Sequence, residues 1–165
     1  MNSKPKLFLI DAYALIFRAY YAFINRPMVN SKGFNTSAIL GFFNSLAEVI
    51  RKEKPDYIGI AFDPPEPTFR NEIFSDYKAK RLATPEEINL AVPYIKKMIS
   101  ALNIRIIEKN GLEADDVIGT LAKAAEKKGW ITYMMTMDKD FLQLVSENIF
   151  MYRPPAKSNS EAEII

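Results

Sequence analysis

Lys6-Leu-Phe-Leu-Ile10 is an apolar run that stops at Asp11. The same arrangement returns at Tyr57-Ile-Gly-Ile-Ala-Phe62 before Asp63, and at Ile131-Thr-Tyr-Met-Met-Thr136 before Met137-Asp138. Two further runs, residues 104–107 and 148–152, lack the terminal aspartate. Runs this short and this apolar suit strands buried on both faces, and stretches of helical spacing separate them. That alternation predicts an α/β fold, a mainly parallel central sheet with helices on both faces and right-handed crossovers. In such sheets ligands bind beyond the carboxyl ends of the strands, which is where these aspartates stand.

The intervening helices are expected at residues 12–24, with Leu15, Ile16, Ala19, Tyr20 and Phe23 at helical spacing, and from a Thr36 or Ser37 cap to about Arg51. The second of these would face the core with Ile39, Leu40, Phe43, Leu46 and Ile50. Thr84-Pro-Glu-Glu87 starts a third with Pro85 at its first position, running to Leu102 through Ile88, Val92, Ile95 and Ile99, with Pro93 as a candidate kink. A fourth carries Val117, Leu121 and Ala125 and closes at Lys127, Lys128 and Gly129, and residues 141–145 fit one helical turn or two. Residues 1–153 read as the core domain, residues 64–84 as a charged, aromatic segment without a core face, and residues 154–165 as a linker-like tail.

The acids set the chemistry. Glu113, Asp115 and Asp116 crowd into four positions at a helix start, where one acid alone would supply the ~0.3–1 kcal/mol that a helix N-terminus offers a negative charge. Each of the others has an ordinary explanation: Asp11 and Asp138 as helix caps, Asp63 as the start of a turn. Together with Asp140 they bring seven carboxylates to one edge, which repel one another unless a cation sits among them. The chain has no Cys and no His, so thiol nucleophiles, Ser-His-Asp triads and His-ligated zinc are excluded. All-oxygen donors suit Mg²⁺ or Mn²⁺, and seven acids suggest two ions, which at ~3.5–4 Å apart serve in-line displacement at phosphorus. EF-hand and P-loop patterns are absent.

With a net charge of only +2, affinity for a polyanion needs locally concentrated bases. Residues 68–81 supply them: Arg70, Lys78, Lys80 and Arg81 stand against two acids, with Tyr77 among them to stack on an unpaired base. A solvated helix with ordinary pairing, such as Asp76 with Lys80, is the competing explanation. At 165 residues the chain has one domain's length, with no signal-peptide pattern and no run able to span a bilayer. The lack of cysteine fits a cytoplasmic setting.

Several motifs, in order along the chain, resemble the 5′-nuclease domains of bacterial DNA polymerases I, in the flap endonuclease family. They are Leu9-Ile-Asp11 with Arg18-Ala-Tyr20, Ser31-Lys-Gly33, Ala61-Phe-Asp63, Thr68-Phe-Arg70, Tyr77-Lys78 with Arg81, and Thr84-Pro-Glu86. Glu113-Ala-Asp-Asp-Val-Ile-Gly-Thr120 and Asp138-Lys-Asp140 with Gln143-Leu-Val145 are the most specific. The resemblance implies a PIN-like fold and metal-dependent 5′-3′ exonuclease and flap endonuclease activity on DNA with a 5′ flap or 5′ end, and on RNA primer–DNA hybrids. It implies Asp63, Glu113 and Asp115 at a first ion, Asp138 between two ions, Asp140 towards the second, and Asp11 and Asp116 as inner or outer ligands. Asp115, Lys78 and Arg81 would be catalytic, with Lys78 and Arg81 holding the scissile phosphate. Arg18, Arg70, Tyr77 and Lys80 would complete the DNA contacts, and residues 64–84 would form an arch or gateway.

Two departures accompany the resemblance. Ala12 stands where the family commonly has Gly, and by Ile165 neither the Asp-rich segment completing the second metal site nor the duplex-gripping helix-three-turn-helix has appeared. The expectation is therefore a nuclease module with an incomplete second metal site, weakly active or inactive alone, joined to a polymerase in its full-length context and free of membranes. A non-catalytic nucleic-acid-binding module and a PIN-type ribonuclease are the alternatives.

Overall fold

A computed structural model of the chain describes residues 4–74, 83–155 and 160–165. Its frame is a six-stranded sheet in the order β3-β2-β1-β4-β5-β6, made of β1 (Lys6–Asp11), β2 (Tyr57–Ala61), β3 (Arg105–Ile107), β4 (Ile131–Met135), β5 (Ile149–Arg153) and β6 (Glu163–Ile164). β1 pairs in parallel with β2 and β4, which in turn pair in parallel with β3 and β5. The expected parallel α/β architecture is thus the observed one. The tail departs from the linker reading at its end, where β6 pairs antiparallel with β5 and Glu163 meets Arg153 at 3.0 Å.

Period-two alternation explains how both faces are covered. Phe8, Ile10, Ile60, Met135 and Tyr152 point to one side and pack beneath α1 (Ala12–Ala22), α2 (Ser37–Glu53) and α4 (Glu86–Ala101), while α3 is the short turn Phe69–Ile73. Leu9, Ala61, Met134 and Ile149 point to the other side, against Ala114, Ile118 and Ala122 of α5 (Ala114–Lys127). Among the described residues no helix is long and apolar enough to cross a membrane.

The helices stand where expected, with their faces turned in places. In α2 the buried apolar residues are Ala38, Phe42, Leu46 and Val49, while Leu40 and Ile50 are 38% and 42% exposed. The apolar residues of this helix wrap most of its circumference, so spacing alone did not fix the rotation. In α5 the buried face is Ala114, Ile118, Ala122 and Ala125, one residue on from Val117 and Leu121. Pro85 is the N-cap of α4, one step outside the expected position, and the helix runs unbroken through Pro93. Thr36 is the N-cap of α2 but uses its hydroxyl on the Met28 carbonyl, not on the helix. Residues 139–144 form a 3-10 helix.

Candidate metal centre

The strand register gathers the acids. Asp11 closes β1 opposite Ala61 of β2, so Asp63 follows two residues on along the neighbouring strand. Ile10 is also paired with Met135 of β4, whose continuation carries Asp138. The loop after β3 crosses the same edge and starts α5 with Glu113 as its N-cap. A cleft of about 550 Å³ results, lined by Asp11, Asp63, Glu113, Asp115 and Asp138, with Tyr13 and Phe17 of α1 on its wall. A second cleft of about 560 Å³ shares Glu113 and Asp115 and adds Asp116, Asp140, Arg70 and Lys123. The seven acids predicted to meet therefore do reach one edge, divided between two adjoining hollows.

The three acids that follow strand ends also have structural duties. Asp11 accepts from the Ala14 N–H at 3.1 Å, capping α1, and its other oxygen accepts from the Thr136 hydroxyl at 3.0 Å. Asp63 does not open a local turn: it accepts from the Ala114 N–H at 2.8 Å, at the positive end of α5. Asp138 accepts from the Asp140 N–H at 2.9 Å and caps the 3-10 helix. The capping and ligand readings of these residues are compatible, because a backbone N–H occupies one lone pair of a carboxylate and leaves others.

The crowding appears in the proton affinities. Asp115 is pushed up to about 6, first by burial and then by the charges of Asp11, Asp63, Asp138 and Glu113. Asp11 is raised as well, by burial above all, against hydrogen bonds from Ala14 and Thr136 that favour its charged form. Such a cluster fits a hard divalent cation by donor type and by charge. Among the described residues, however, no three acids are drawn together tightly enough to hold one ion as they stand. The cluster supplies the field and the donors, one or two carboxylates with retained waters being enough for an ion such as Mg²⁺.

Other predicted residues are placed differently. Asp116 is held by Arg70 through two bonds, 2.6 and 2.7 Å, and accepts from the Glu113 N–H at 3.0 Å. It lines the second cleft and not the first. Arg70, expected against a nucleic-acid backbone, thus spans Asp116 and lies 3.6 Å from Glu113. Arg18 turns towards the carbonyls of Pro154 and Pro155, away from the acids. Tyr77, Lys78, Lys80 and Arg81 lie outside the described residues. Thr136, Tyr13 and Phe17 escaped the sequence reading. A threonine closing a strand two residues before an aspartate was the one available signal for Thr136, and its partner across the sheet emerges only from the register.

The chain matches the family described as 5′-3′ exonuclease, N-terminal resolvase-like domain, over residues 6–165. It is 40% identical over 153 residues to a DNA polymerase I of Treponema pallidum, covering 93% of this chain and 15% of that protein. It is 39% identical over 148 residues to a 5′-3′ exonuclease of Aquifex aeolicus, covering 90% of this chain and 50% of that one. The fold matches the bacteriophage T5 flap endonuclease, solved as a pseudo-enzyme–product complex with DNA and metal ions, with a TM-score of 0.63 at 14% identity over 90% of this chain and 54% of that one. This chain spans half or less of the length of these curated relatives. It belongs to the 5′-3′ exonuclease family, as a member of its N-terminal resolvase-like domain.

Proposed function

We propose that this chain is the metal-binding module of a 5′-3′ exonuclease and flap endonuclease that hydrolyses phosphodiester bonds at 5′ ends and flaps of DNA and at RNA primers, using Mg²⁺ or Mn²⁺. The observation that carries the reading is the convergence of Asp11, Asp63, Glu113, Asp115 and Asp138 on one cleft, with Asp115 raised to about 6 by burial first and by its acidic neighbours second. Divalent ions bound there would supply charge neutralisation at the phosphate and activation of water. Asp63, Glu113, Asp115 and Asp138 would hold them, with Asp11 orienting from the cleft wall and Asp140 serving a second position. Lys78 and Arg81 would hold the scissile phosphate and Tyr77 would stack on a nearby base, all from the segment 64–84. Relatives named DNA polymerase I support a polymerase joined to the same chain.

The Arg70–Asp116 pair favours a second reading, in which the acids are structural and the module only binds nucleic acid. Calorimetric titration with Mn²⁺ separates the two, followed by Mg²⁺-dependent cleavage of a 5′-flap DNA and its RNA counterpart. The nuclease reading expects Mn²⁺ uptake with a rise in melting temperature, and weak cleavage lost in Asp115→Ala. Absence of both uptake and thermal shift would refute it, and preference for the RNA substrate would favour a ribonuclease.

A further inference from the structure

The parallel register that sets Ile10 beside Met135 brings the residues that follow them, Asp11 at the end of β1 and Thr136 just past β4, within hydrogen-bond reach, Asp11 lining the acidic cleft and Thr136 buried behind it. Thr136 is only 2% exposed, and its hydroxyl is used in both directions. It donates to Asp11 Oδ2 at 3.0 Å and accepts from the Asp138 N–H at 3.2 Å. Because the amide can only donate, the Thr136 proton is directed at the carboxylate. A single side chain therefore fixes the plane of the carboxylate closing β1 and the path of the loop that carries Asp138 away from β4. The other Asp11 oxygen is pinned by Ala14, so both ends of that carboxylate are fixed before any ligand arrives.

We infer that Thr136 is a positioning residue for the metal centre, its hydroxyl setting the relative placement of Asp11 and Asp138 so that both can serve divalent ions held in the cleft. It touches neither substrate nor the reacting atoms. With its proton on Asp11 and a lone pair on Asp138 N–H, it is committed to its neighbours and is no nucleophile. The inference rests on the nuclease reading above, but makes a separate claim about which residue outside the ligand set tunes it. Partners that orient metal ligands typically change metal affinity ~10–100-fold when removed.

Thr132, on the same strand, provides an internal control. It is fully buried and its hydroxyl has no hydrogen-bond partner, so Thr132→Val removes a β4 hydroxyl of no use to the cleft. Thr136→Val removes the two-way bond at nearly constant shape, and Thr136→Ser keeps the bond while losing a methyl. Calorimetric titration of the full chain with Mn²⁺, with melting temperatures in chelator, compares the four proteins. The expected result is a ~10–100-fold weaker Mn²⁺ constant in Thr136→Val, near-complete rescue in Thr136→Ser, and no change in Thr132→Val. Wild-type affinity in Thr136→Val overturns the inference while leaving the nuclease reading intact. A Thr136→Ser chain as weak as Thr136→Val does the same, by assigning the effect to packing of the methyl. A wild-type chain that takes up no Mn²⁺ overturns both.

Discussion

Asp115 carries the tension of the site at the scale of one residue. It sits in the first turn of α5, where a helix N-terminus welcomes negative charge, yet burial and four neighbouring acids hold its carboxyl at about 6, against an ordinary 3.8. Between those two values the folded chain retains a proton that the unfolded chain has released. Stability attributable to this group therefore falls as pH rises through that window, and the loss is complete above it. Asp11, raised in the same direction, adds to the slope. In chelator, Asp115→Asn should therefore melt higher than wild type at pH 7, with the gap closing as pH falls towards 4. A gap of several degrees is expected, since each kcal/mol moves the midpoint of a chain this size by ~2–4 °C. Magnesium at pH 7 should raise the wild-type midpoint and leave the Asn variant nearly unmoved. Parallel curves for the two proteins across pH 4–7 in chelator would contradict this crowding of charge around Asp115.

The crossing of α1 over α2 depends on Gly41 at the scale of elements. A Cβ added there would lie 2.6 Å from the Ala19 Cβ and 3.2 Å from its Cα, so the two helix backbones would have to separate. Gly41→Ala should cost ~1–3 kcal/mol by overpacking, even though alanine is the better helix former. Urea midpoints give the test: Ala19→Gly in the same chain should recover part of the loss, and a neutral or stabilising Gly41→Ala would show that the helices give way freely. Most elements were legible because short apolar runs and helical spacing are written along the chain. Rotation of the helices was less so: Leu40 and Ile50 read as core, yet α2 buries Phe42 and Val49, because apolar residues on nearly every side leave the winning face to tertiary packing. The β6 strand was illegible for a related reason. Two residues of pairing with β5 leave no pattern of their own, and a Pro- and Ser-containing approach reads as linker.

The site at the scale of the whole molecule was legible to the extent that strand ends predict a common edge. Asp11, Asp63 and Asp138 could be assigned there before any strand order was known, whereas the Thr136 bond, the Asp63 bond to Ala114 and the Arg70–Asp116 pair depend on which strands and loops are neighbours. Arg18 shows the limit most plainly. Its motif and its charge suggested a nucleic-acid contact, but the guanidinium bridges α1 to the carbonyls of Pro154 and Pro155, just past β5. Burial lowers its proton affinity, as expected of a cation partly taken from water to serve backbone oxygens. Arg18 thus ties the helical layer to the edge where β6 docks, and where Met151 and Ile165 exchange backbone hydrogen bonds of 2.8 and 3.0 Å. Arg18→Ala should cost ~1–3 kcal/mol through the lost charged hydrogen bonds. It should also speed hydrogen exchange at the Met151 and Ile165 amides well beyond that of Leu9 in the central strand, while Mn²⁺ affinity stays unchanged because the acids are untouched. A variant with the wild-type midpoint and wild-type exchange at both amides, but weaker and more salt-sensitive binding to 5′-flap DNA, would return Arg18 to the nucleic-acid surface.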